Sequence, residues 1–148
     1  MAKNIVDYSK GRREFLDSLH AKGVFGLSRS IDNKEQALFL AALGCDSPVP
    51  LSSKKDEGGW FRTESVTKYS KDVAMMSCIL LGTAKNDDEY DKFSQLEEYM
   101  SYVEQCAESG FRIVEKKLEE SNDDNDLLER RMLKELDLLY TAVVENDI

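Results

Sequence analysis

Histidine is nearly missing from this chain: His20 is the only one among 148 residues. Zinc fingers, HExxH helices and carboxylate–histidine di-iron sites need several histidines or clustered cysteines, so none can be assembled here. Cysteine is also sparse. Cys45, Cys78 and Cys106 are far apart, odd in number and outside any CxxC pattern. Secreted domains usually pair their cysteines, so these read as reduced thiols in a cytoplasmic protein. Cys78 and Cys106 fall inside apolar helical patterns, where cysteine acts as a small hydrophobe. No phosphate loop of the GxxxxGK[ST] type, no GxGxxG fingerprint and no N-terminal signal pattern are present. The longest apolar stretches, Ala37–Leu43 and Val73–Leu81, fall far short of the roughly 20 residues a membrane span needs. The expectation is a chain with no cofactor, no metal and no membrane partner.

What is present is charge and helix-forming pattern. Apolar residues make up 41% and charged residues 33%, with 2 prolines and 8 glycines, which is a globular composition rather than a disordered one. A chain of this length fits a single domain, 1–148, able to bury a core without staples. The net charge of −9 is uneven. Residues 1–62 carry a balance of +2, whereas residues 63–148 carry −11. Long-range repulsion should keep the second half off nucleic acid and anionic membranes, and leaves the first half unexcluded.

Apolar spacing predicts an all-α, compact bundle of five or six helices. The first helix runs from about Asp7 or Ser9 to Ala21, with Phe15, Leu16 and Leu19 on one face and Gly23 following as a C-terminal cap. Asp32 and Glu35 form a capping-box-like start to the second. Its apolar run, Ala37 to Leu43, predicts burial on most sides, and Gly44 stops it. Pro48 and Pro50 block a helix in an irregular segment, residues 45–70, that crosses the surface. Trp60 to Val66 reads as a short strand or an ordered loop, with no second strand visible to pair with it. Asp72 caps a third helix ending near Gly82. A longer helix carries Tyr90, Phe93, Leu96, Met100, Val103 and Ala107. Gly110 marks a break before a short fifth helix with Phe111, Val114 and Leu118. The last helix, about Asp126 to Glu145, has Leu128, Met132, Leu136, Leu139 and Val143 as its stripe, enough to pack internally or across a homodimer.

Candidate chemistry is thin. His20 lies near a helix C-terminus, where an imidazolium is favoured by the dipole, and reads as structural or solvated rather than as a base. The oxygen-rich run Asn122 to Asp126 lacks the sixth-position glycine of a calcium loop, because Leu127 stands there. Asp87, Glu89 and Asp91 fail likewise at Lys92. The most unusual local sequence is Gly58-Gly59-Trp60-Phe61-Arg62. Two flexible residues precede two aromatics and an arginine, a combination suited to anchoring a partner. The competing reading folds Trp60 and Phe61 over the core as a lid and pairs Arg62 with an acidic helix. A second group, Lys10, Arg12 and Arg13 with Lys54 and Lys55, is the candidate nucleic-acid surface, provided it gathers on one face.

From Gly23 onward, one series of features resembles the small accessory proteins associated with DNA phosphorothioation (Dnd-type) defence systems. The matching residues are Val24-Phe25, Leu38 through Gly44, Pro50-Leu51 and Gly59-Trp60-Phe61-Arg62. Asp72, Ala74 and Met75 follow, then Glu104, Ala107, Gly110 and Phe111. The resemblance covers about residues 23–140. It implies an accessory role in a prokaryotic DNA-modification or antiphage system, and it implies no reaction and no site residues. The reading is therefore a non-enzymatic protein that binds another protein through Trp60, Phe61 and Arg62. The alternatives are nucleic-acid contact through the N-terminal cations, or acidic mimicry of DNA by the C-terminal helices.

Overall fold

The computed structural model describes residues 5–21, 33–83, 96–121 and 125–146. Along them run β1 (Ile5–Val6), α1 (Arg12–Ala21), α2 (Asn33–Gly44), β2 (Phe61–Arg62), α3 (Glu64–Thr67), α4 (Ser70–Thr83), α5 (Leu96–Glu120) and α6 (Asn125–Asn146). The chain is mainly helical. The sheet is the departure from the all-α expectation: β1 and β2 pair antiparallel, Ile5 with Arg62 and Val6 with Phe61. Two residues are too few for alternation to register, so β1 stays invisible to periodicity. The pairing continues irregularly beyond the strands. Asp56 N–H donates to the Tyr8 carbonyl, Lys10 N–H to the Lys54 carbonyl, and Ser9 bridges to Lys55. The segment 45–70 is therefore strapped along residues 5–10, and Val49 N–H ties it to the Gln105 carbonyl of α5.

The centre of the fold is α2 against α5. In α2, Ala37, Leu38, Leu40, Ala41 and Leu43 are buried, Phe39 is half-buried and Ala42 is exposed, so the apolar run is covered on most sides but not all. A helix of 25 residues spans about 37 Å, and α5 passes through Gly110 without a break. This overturns the expected division there. A Cβ at Gly110 would strike the Leu40 carbonyl, and one at Gly44 would strike the Cys106 carbonyl and the Gly110 nitrogen. Both glycines allow close backbone approach; α2 does finish at Gly44 as expected, whereas Gly110 ends nothing.

Other boundaries shift for identifiable reasons. α4 begins at Ser70, so Asp72 lies inside its first turn instead of capping it. The buried Asp72 carboxylate takes an ion pair from Lys34 at 2.7 Å. Cys78 is exposed on α4, contrary to the expectation of a buried small hydrophobe, whereas Cys106 is buried. Desolvation pushes the Cys106 thiol up to about 12, with a further contribution from the charge of Cys45. On α6, Met132 is buried while Leu133, Leu138 and Tyr140 are exposed. The other stripe residues expected on that helix lie outside the described side chains, as does His20. Asp32, Gly23, Asp87, Glu89, Asp91 and residues 122–124 lie outside the described residues altogether. No helix among the described residues is long and apolar enough to cross a membrane.

Candidate functional site

Positive φ at Gly58 and Gly59, +82° and +70°, turns the chain in a way a residue with Cβ resists, and delivers Trp60 inward. Trp60 is 5% exposed. Its indole stacks on the Tyr8 ring at 4.9 Å with an interplanar angle of 7°, and meets Phe111 of α5 at 5.4 Å. Trp60 is thus an anchor in the core, and its buried Nε1 finds no hydrogen-bond acceptor among the described residues. The lid reading describes Trp60. Phe61 is half-buried, packed against the core with its ring edge-on to Trp60, so the lid reading covers it in part, and Arg62 is exposed.

The acidic helix is paired, but with a different arginine. Arg12, at the start of α1, lies buried against α5 and holds the Glu108 carboxylate with two hydrogen bonds, 2.8 Å from Nη2 and 3.3 Å from Nε. Its Nη1 reaches Glu115, and the guanidinium lies 4.9 Å from the centroid of the Phe111 ring. Burial works against the Arg12 charge, but Glu108 and then Glu115 outweigh it and raise its pKa above the ordinary value. Glu104, one turn before Glu108, accepts the Asp7 N–H at 2.8 Å. Arg13 points the other way, donating to the Tyr8 hydroxyl and to the Glu57 and Gly59 carbonyls.

These arrangements divide the N-terminal cations. Arg12 is enclosed by carboxylates, and Lys55 pairs with Asp7 at 3.1 Å. Lys10 and Lys54 are exposed and adjacent through their backbone hydrogen bond. Sequence inspection missed Glu104, Glu108 and Glu115, although the spacing 104, 108, 111, 115 places three carboxylates and a phenylalanine on one helical stripe.

Beside Arg62 lies an open cleft of about 480 Å³, lined by Asn33 and Lys34 of α2, Phe61 and Arg62 of β2, Glu64, Ser65 and Lys68 of α3 and its end, and Tyr69. That volume is in the range of small-ligand and side-chain pockets. Its walls are fixed by local bonds. Asn33 Nδ2 donates to the Trp60 carbonyl, and Lys34 Nζ donates to the Ser65 carbonyl and Asp72. The same ammonium lies 4.2 Å from the centroid of the Tyr69 ring, a cation–π contact that holds an exposed aromatic in place. Among the described residues no group of three His, Cys, Asp or Glu side chains is placed to hold a metal ion. Comparison with known protein families, curated proteins and solved structures found no match to this chain.

Proposed function

We propose that this chain is a non-enzymatic interaction protein that docks a protein partner at the cleft beside Phe61 and Arg62. The observation that carries this reading is the division of labour within one tripeptide. Trp60 is locked into the core, and this rigid base presents Phe61 and Arg62 at the rim of an open, half-apolar cleft. Aromatic and arginine side chains held in this way are the usual energetic centres of protein interfaces. The helices are taken as one compact bundle and residues 1–148 as a single domain, supported by one buried cluster that draws on every helix and on β1. The resemblance over residues 23–140 supports an accessory role in prokaryotic DNA modification or antiphage defence, and the odd, scattered cysteines support a cytoplasmic one.

The test is a tagged pull-down from the native host, with and without nuclease, using wild type, the double variant Phe61→Ala/Arg62→Ala and the control Lys116→Ala on the exposed side of α5. A stoichiometric partner that survives nuclease, persists with the control and is lost with the double variant supports the reading. A partner retained equally by all three overturns it. Trp60→Ala is unsuitable here, because it removes a core side chain.

A second reading rests on the adjacency of Lys10 and Lys54, which could meet a phosphate backbone. It requires nucleic-acid affinity that falls steeply with salt and that Lys10→Glu/Lys54→Glu abolishes. Binding unaffected by that pair of substitutions removes it.

A further inference from the structure

We infer that the cleft takes a short protein segment carrying one carboxylate beside an aromatic or large aliphatic side chain. This rests on the reading of the chain as an interaction protein and supplies the chemistry its site selects. Charges around the cleft are nearly balanced. Three cations line it: Lys34, Arg62 and Lys68. Lys34 is paired with Asp72 at 2.7 Å and Lys68 with Glu64 at 3.3 Å. Arg62 makes no ion pair among the described residues, so among these the cleft has one cation more than it has ion-paired carboxylates. A phosphate backbone draws its affinity from several neutralised charges, and the −11 balance beyond residue 62 repels it. A single carboxylate needs only one cation, and the planar guanidinium matches it with two parallel hydrogen bonds.

The apolar half of the ligand is set by the two aromatic walls. Phe61 is backed by Trp60 at 5.9 Å, and Tyr69, 57% exposed, is held by the Lys34 ammonium. Both rings are braced before any ligand arrives, so little side-chain freedom is lost on binding. The Arg62 backbone is fixed by its pairing with Ile5, and its carbonyl accepts the Ser65 hydroxyl at 2.7 Å. Carboxylate on Arg62 and apolar side chain between Phe61 and Tyr69 therefore define one compact recognition unit.

The experiment is an amide-resolved NMR titration of the full chain with three probes: the blocked peptide acetyl-Gly-Phe-Glu-Gly-amide, its Gln-for-Glu analogue and a 5′-phosphorylated thymidine dinucleotide. The expected result is shifts confined to residues 33–34 and 61–69 with the first peptide. Its affinity should exceed that of the Gln analogue about tenfold, the effect of one charge-assisted pair. Arg62→Gln should erase that difference, and Tyr69→Ala should weaken both peptides alike. Equal binding of the two peptides, no shifts with either, or tighter binding of the dinucleotide overturns the inference. If a pulled-down partner still depends on Phe61 and Arg62 while the peptides bind equally, the ligand chemistry falls and the interaction reading stands. If the partner is indifferent to both residues, the interaction reading itself falls.

Discussion

Two faces of α5, a fraction of a turn apart, receive their neighbours by different means. On the face toward α2, Gly110 and Gly44 bring no side chain of their own to the crossing, and the backbones come together with Val103, Ala107 and Val114 buried on the same helix. On the face toward the N-terminus, Glu104, Glu108 and Glu115 accept a backbone N–H and a buried guanidinium, with Phe111 beneath Arg12 and Trp60. The first contact is dry and steric; the second is charged and directional. A steric contact tolerates no added atom but has no partner to lose. A buried ion pair can be replaced as a unit, yet leaves an unpaired charge if only one side is removed. The comparison teaches where the core is specified by shape and where by chemistry.

The sharpest way to break the steric face is Gly110→Val. The new Cβ would overlap the Leu40 carbonyl, with the Leu40 carbonyl carbon at 2.7 Å and Cα at 3.0 Å, so no rotamer relieves it and the helices must separate. We expect a loss of about 4–5 kcal/mol, in the far tail of single substitutions, read by urea denaturation. A loss below about 1 kcal/mol, within the range of ordinary surface changes, would show that α2 and α5 do not cross this closely.

Next is the charged face. Glu108→Ala leaves the buried Arg12 guanidinium with only the part-exposed Glu115 and should cost about 3 kcal/mol, whereas the double variant Arg12→Met/Glu108→Leu should recover most of that loss. Additive losses in the cycle would mean that the two side chains are not coupled. The thiols report the same contrast without perturbing it. Cys78 is exposed and should react with a thiol reagent within the mixing time at pH 8. Cys106, buried at the crossing with its thiol pushed up to about 12, should react only on unfolding. Fast labelling of Cys106 in the native wild type would contradict a closed crossing.

These contacts also explain what could be read from the residues alone. The stripe Met100, Val103, Ala107, Phe111, Val114 and Leu118 keeps helical spacing straight across Gly110, so continuity was legible. What misled was the glycine, whose demand is set by a backbone some 70 positions away in sequence. The burial of α2 on most sides was legible because an apolar run of seven residues covers more than one helical face, although Ala42 stays exposed. The tripeptide Trp60-Phe61-Arg62 was visibly unusual, but which of its members faces inward depends on Tyr8 and Phe111 across the fold. The pairing of Arg12 with Glu108 spans 96 positions, and among the twelve carboxylates from Glu89 to Asp126 local pattern has no means to choose. Long-range partners, not local propensity, were the missing information.

The smallest effect lies next to the charged face, at the start of α1, and is read by pH. Asp56 caps α1 from outside the helix, its two carboxylate oxygens accepting the Gly11 N–H at 3.1 Å and the Arg13 N–H at 3.0 Å. The Arg13 N–H first of all holds its carboxyl below the usual 3.8; burial opposes this, and the Gly11 N–H and the nearby charges of Arg13 and Lys10 add to the lowering. A carboxyl whose folded pKa is depressed contributes stability that is fully present above the unfolded value and fades as pH falls through the folded one. Asp56→Ala should therefore cost about 1 kcal/mol at pH 7, the usual worth of a cap. That difference should shrink below pH 3.8, where protonation of the wild-type carboxyl does the same damage. The Gly110→Val loss involves no titrating carboxyl and should be the same at both pH values. An Asp56→Ala loss that stayed constant down through the acid range would show that the side chain acts by packing, and the polar strap would then differ from the steric crossing less than its hydrogen bonds imply.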